Sequence, residues 1–96
     1  MTGCRSFDSA GIGIGAIAGI HRSRAKILFL IGRNDEALAA ARRALAITVR
    51  QGDRAAAAGC RILVSDIHAV TGDYRLMRSE VEAALLLFRE AGGTRY

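Results

Sequence analysis

A 40-residue echo runs through this chain and limits what it can fold into. Gly32-Arg33-Asn34-Asp35-Glu36-Ala37-Leu38 returns as Gly72-Asp73-Tyr74-Arg75-Leu76-Met77; Ala44-Leu45-x-Ile47 is answered by Ala84-Leu85-x-Leu87, and Ala18-Gly19 by Ala58-Gly59. Each copy closes one amphipathic helix and opens another, and a period of this size marks stacked supersecondary units. Composition points the same way: no Pro, 5% aromatics and many alanines favour helix over strand. The expected fold is all-α, two stacked antiparallel helix-turn-helix hairpins. At 96 residues such a chain buries only about 60 to 65% of its unfolded surface, so added contacts at its ends would matter.

The expected elements follow from caps and periodicity. Asp8 or Ser9 caps a first helix running to about Ile31, weakened by Gly11, Gly13, Gly15 and Gly19, with Ile20, Ile27, Leu28 and Ile31 as its buried stripe until Gly32 stops it. Asn34 or Asp35 caps the second, whose inward face reads Ala37, Leu38, Ala41, Ala44, Leu45 and Val49. Gln51-Gly52-Asp53 then leads into a third helix with Ala56, Cys60, Leu63, Ile67 and Val70 on one face, and Gly72-Asp73 repeats the turn. The fourth places Tyr74, Met77, Val81, Ala84, Leu85 and Phe88 at spacings of three and four, with Tyr74 and Phe88 as core aromatics, and Ala91-Gly92-Gly93 ends it. Loops this short force successive helices to lie antiparallel and adjacent. The chain divides into a flexible stretch 1–9, a helical domain 10–92 (hairpins about 10–51 and about 53–91) and a tail 93–96.

Reaction chemistry is not legible. Cys4 and Cys60 form neither a C-x-x-C pair nor a disulfide framework, and His21 and His68 lie in no metal-ligand spacing, so no metal or cofactor is expected and Cys60 reads as a small buried hydrophobe. Asp66 and His68, two apart on a helix, point about 200° away from each other and make no dyad; Ser65 has no activating base, and His68 is expected to pack between the hairpins. Gly11-Ile12-Gly13-Ile14-Gly15-Ala16 lacks the preceding strand a dinucleotide loop requires; Gly11, Gly15 and Gly19 read instead as a small-residue helix contact or plain flexibility. The apolar run Ala10–Ile20 is too short for a bilayer, which needs about 20 residues, and the basic residues follow it rather than precede it, unlike a secretory signal. A cytoplasmic chain without stable membrane insertion is expected.

Charge is uneven. The formal net charge of +5 arises in residues 1–50, where eight Lys or Arg face three acids, whereas residues 51–96 balance six against six. A basic stripe can steer nucleic acid or an acidic peptide, but without interleaved aromatics or a recognition motif it reads as a solvated helix face.

The segments Val64-Ser65-Asp66-Ile67-His68-Ala69-Val70-Thr71-Gly72-Asp73-Tyr74 and Ala83-Ala84-Leu85-Leu86-Leu87-Phe88-Arg89-Glu90-Ala91-Gly92 resemble a tetratricopeptide repeat, in the longer variant of bacterial MalT-like and other LuxR-type transcriptional regulators. The resemblance covers about residues 20–92. It implies that small residues Ala25 and Ser65 on the first helix of each hairpin meet Ala37 and Ala44, or Ala84, on the second. Met77 departs from the expected small residue, Asn34 from the aromatic, and Arg22 with Arg24 fit the early first copy poorly.

What the resemblance implies about function is a non-enzymatic protein-interaction scaffold within a bacterial regulatory protein. First helices would line the binding surface, placing a protein or peptide partner against Arg22, Lys26, Phe29, Ile62, Asp66 and Ala69. The Lys and Asn set of the two-carboxylate clamp of chaperone-binding relatives has no counterpart here. Two repeats are fewer than the three or so that bury a continuous core, so self-association, such as a homodimer, through Leu85, Leu86, Leu87 and Phe88 is expected, or membership of a longer regulator. Two rival classes remain: a DNA-binding regulator using the basic first half, disfavoured by the lack of base-reading residues, and a membrane-surface protein using Ala10–Lys26 as a basic amphipathic anchor.

Overall fold

A computed structural model describes the backbone of residues 13–92 and the side chains of 16–92. The expected stretches 1–9 and 93–96, the Asp8 or Ser9 cap and Cys4 lie outside the described residues. Four helices follow one another: α1 Gly13–Leu30, α2 Asn34–Gln51, α3 Arg54–Thr71 and α4 Tyr74–Glu90. No strand occurs among the described residues. Packing is mainly α1 on α2, α3 on α4, and α2 on α3, while α1 and α3 barely touch. The result is two antiparallel hairpins stacked through α2 and α3.

The turns explain this regularity. Gly32, Gly52, Gly72 and Gly92 all adopt positive φ, between 71° and 87°, the left-handed conformation that closes a helix without Cβ strain only at glycine. Their amides, and those of the residues that follow, satisfy the last carbonyls: Gly52 N–H donates to Val49 at 3.1 Å and Asp53 N–H to Thr48 at 3.0 Å, with the same pattern at Gly32-Arg33 and Gly72-Asp73. The residue after the glycine is then the N-cap of the next helix. Asp53 and Asp73 accept there from the amides of Ala56 and Leu76. Arg33 occupies the same place before α2 with no side-chain cap; Asn34 and Asp35, expected as caps, already lie inside the helix.

Alanines set the helix separations. Ala25, Ala37, Ala41, Ala44, Ala58 and Ala84 are completely buried, and Cβ-sized contacts let backbones approach closely. Leu63, Val64 and Ile67 of α3 complete a cluster with Ala37, Ala40 and Ala41 of α2 and with Ala25 and Leu28 of α1. Ser65, a small buried residue like Ala25, donates its hydroxyl to the Ile62 carbonyl at 2.6 Å.

Several expected core positions face outward. In α1, Leu28 is buried, but Ile20, Ile27 and Ile31 are exposed; the buried stripe is Ala18, Ala25 and Leu28. Val49, Val70, Tyr74, Leu85 and Phe88 are also exposed, while Ala40, Thr48, Ala57, Ala58 and Val64 are buried without having been expected. Apolar residues lie on more than one side of α1, so the stripe chosen by period alone falls, apart from Leu28, on a side that no other described residue covers.

Candidate functional site

The six expected groove residues divide between α1 and α3. Arg22, Lys26 and Asp66 are exposed, and Phe29, Ile62 and Ala69 are half-buried. Phe29 packs on the core cluster instead of standing free. Arg22 alone reaches across: its guanidinium lies over Gly59 of α3, where an added methyl would sit 3.3 Å from Nη2. Arg22 also lines a small cleft of about 140 Å³ at the junction of three helices, with Ala18, Thr48, Asp53 and Cys60. The other five do not line that cleft.

Cys60 forms its buried floor. Burial pushes the thiol above its ordinary range; the nearby Arg22 charge and a hydrogen bond with Thr48 oppose the shift, and Asp53 adds to it. A thiol held protonated is a poor nucleophile and a poor metal ligand. His68 is buried too, with Nε2 lacking a hydrogen-bond partner. It stands forty residues after Leu28, so an imidazole fills the place that a leucine fills in the first hairpin. Among the described residues, no group of three or more His, Cys, Asp or Glu side chains converges.

Ile17 and Ile47 line one concavity with Arg50 and Gln51, and Ala57 and Leu87, each forty residues on, line another together with Thr48, Val49, Asp53 and Arg54 at the α2–α3 junction. Leu87 is half-buried at the second of these, whereas Leu85, Leu86 and Phe88 of the same expected self-association set are exposed. Widest is an open trough of about 570 Å³ along the outer side of α1, lined by Ala16, Ile20, Ser23, Arg24 and Ile27 among others. Gly19 lies on it, and a Cβ added there would meet nothing within 4 Å; Gly11 lies outside the described residues.

Arg61 of α3 and Glu80 of α4 pair at 2.8 Å, partly screened from solvent, and Arg54 meets Glu90 at 3.1 Å near the opposite ends of the same helices. Both tie the second hairpin together, and no corresponding pairs join α1 to α2 among the described residues. No helix among them is long and apolar enough to cross a membrane. No family model, curated protein or solved structure matches the chain.

Proposed function

We propose that the chain is a non-enzymatic scaffold of tetratricopeptide type, acting in the cytoplasm within a bacterial regulatory protein and holding a protein or peptide partner. The observation that carries the reading is the equivalence of the hairpins at the contacts that matter to such repeats. Ala25 and Ser65 are buried at one position, and Ala44 and Ala84 at another. Successive glycine turns also keep one conformation. A regular stack of this kind offers its partner a surface made by first helices, here α1 and α3, on which Arg22 and Lys26 supply positive charge beside Phe29, Ile62, Asp66 and Ala69. Exposed Leu85, Leu86 and Phe88 supply a separate apolar surface for self-association.

The basic character of α1, which has no acidic residue, favours an acidic peptide as the ligand class. Titrating the full chain against fluorescent peptides of matched length and graded charge tests this. Binding of the acidic members is expected, weakened about tenfold or more in Arg22→Glu/Lys26→Glu, since about 1.4 kcal/mol separates each decade of affinity. A flat response to every peptide, with saturable and salt-sensitive binding to duplex DNA instead, would replace the scaffold with the nucleic-acid reading. Liposome co-sedimentation that depends on anionic lipid would favour the membrane-surface reading.

A further inference from the structure

The forty-residue equivalence reveals what the trough on α1 is shaped to receive. Its residues Ala16, Ile20, Ser23, Arg24 and Ile27 correspond to Ala56, Cys60, Leu63, Val64 and Ile67 of α3. Four of those five α3 residues are buried, and Leu63, Val64 and Ile67 share one cluster with the alanines of α2. On α1 the same face is open: Ile20 is 63% exposed and Ile27 60%. The seat that α3 offers to the second helix of the preceding hairpin thus recurs on α1, where no described residue fills it. At the other end, α4 stands to α2 as α1 stands to α3. Leu85 and Phe88 take the places of Leu45, half-buried, and Thr48, buried beside Cys60; they are 51% and 37% exposed.

We propose that the trough on α1 binds α4 of a second copy of this chain, reproducing between molecules the α2–α3 contact within each one, so that copies stack head to tail. The proposal rests on the stacked-hairpin scaffold reading and specifies how such a scaffold extends itself.

Two kinds of complementarity support a second copy as the occupant. The first is volume. Inside the chain, small residues of α2 (Ala37, Ala41) meet large ones of α3 (Leu63, Ile67). Between copies, Met77, Val81 and Phe88 would replace Ala37, Ala41 and Thr48, while Ser23 would replace Leu63, so the larger side chains of α4 meet an open trough where α2 meets a closed core. In the same register, Thr48 beside Cys60 becomes Phe88 beside Ile20, an aromatic ring on an exposed isoleucine.

The second is charge. α1 carries Arg22, Arg24 and Lys26 in its middle and no acid. α4 carries Glu80 and Glu82 in its middle, Glu90 at its end, and Arg75, Arg78 and Arg89 along its length. Antiparallel docking in the α2–α3 register sets Arg24, the one charged residue lining the trough, against the acidic middle of α4. Arg24, in place of Val64, falls where Glu80, in place of Ala40, can meet it. Glu80 is already held by Arg61 at 2.8 Å, so Arg24 would join an existing ion pair.

A head-to-tail contact uses two different surfaces and does not close on itself. This gives a test that a symmetric dimer cannot pass. Sedimentation equilibrium of the full chain, from about 1 to about 100 µM to cover weak self-affinities, is expected to show a mass that rises continuously with concentration. Ile27→Arg spoils the seat and Leu85→Arg spoils the docking helix; both positions are exposed, and circular dichroism checks that each variant stays helical. Each alone is expected to be monomeric, while an equimolar mixture of the two forms a one-to-one dimer, because one retains a good α4 and the other a good α1. A wild-type monomer throughout, variants that associate as the wild type does, or a mixture that stays monomeric would overturn the proposal. Peptide binding by a strictly monomeric chain would preserve the scaffold reading while removing the stacking.

Discussion

At the residue scale, two buried positions report on the junction of α1, α2 and α3. The Cys60 thiol is covered and its pKa raised, chiefly by desolvation, so the folded state keeps the thiol proton at pH values where an unfolded chain has released it. The contribution of Cys60 to stability is therefore fully present below the ordinary thiol pKa and is lost as pH rises through the folded-state value. The denaturation midpoint of wild type relative to Cys60→Ala is expected to fall between neutral and strongly alkaline pH. Labelling of Cys60 by a thiol reagent in a Cys4→Ser background should likewise be slow in buffer and fast in denaturant. Gly59 gives the opposite kind of reading. Its backbone is helical, so Gly59→Ala gains up to about 1 kcal/mol of helix propensity. The nearest atoms a methyl there would meet belong to the end of the exposed Arg22 side chain, which is free to swing aside. A higher denaturation midpoint is expected; a lower one would show that Arg22 is anchored over α3.

At the element scale, the helix starts are unequal. Asp53 and Asp73 each cap a helix through a side-chain oxygen, whereas Arg33 leaves the start of α2 uncapped and pairs instead with Glu36 on the surface. Arg33→Asp would create a capping box with Glu36 and remove only an exposed ion pair, so a gain of about 1 kcal/mol in unfolding free energy is expected. Asp53→Ala should lose a similar amount, and chemical denaturation of both variants checks the pair. The turns were legible in the sequence because positive-φ glycines punctuate it, and the small-residue contacts because Ala44 recurs as Ala84 and Ala25 as Ser65. The cap of α2 was misplaced because Asn34 and Asp35 are stronger cap formers than arginine; turn geometry decided the position, and propensity did not. The outward-facing isoleucines were misread because periodicity identifies an apolar stripe without saying whether anything covers it.

At the scale of the whole molecule, stability depends on hairpins packed through methyl-sized contacts. Ala44 and Ala84, both fully buried, hold equivalent places in the two hairpins. Ala44→Leu and Ala84→Leu should each cost about 1 to 3 kcal/mol through overpacking, read as a lowered midpoint in equilibrium unfolding. Near-equal losses are expected if the hairpins are interchangeable units. Candidate partner residues were less legible than the fold. Arg22, Lys26 and Asp66 were expected at the surface, and the structure exposes them, while Phe29 and Leu87 are half-buried, because side-chain direction depends on which flank of each helix meets its neighbour. The open seat on α1 became visible only when its residues were set beside their buried counterparts in α3.

The central claim is that the α2–α3 contact propagates from one copy to the next, and it can be measured by site-directed disulfide trapping. In a background of Cys4→Ser and Cys60→Ala, Ile20→Cys on one chain and Phe88→Cys on another are mixed and oxidised under mild conditions. A covalent dimer joining position 20 to position 88, in preference to 20 to 20 or 88 to 88, is the predicted result. Symmetric cross-links alone, or none at concentrations where the wild-type chain associates, would contradict it.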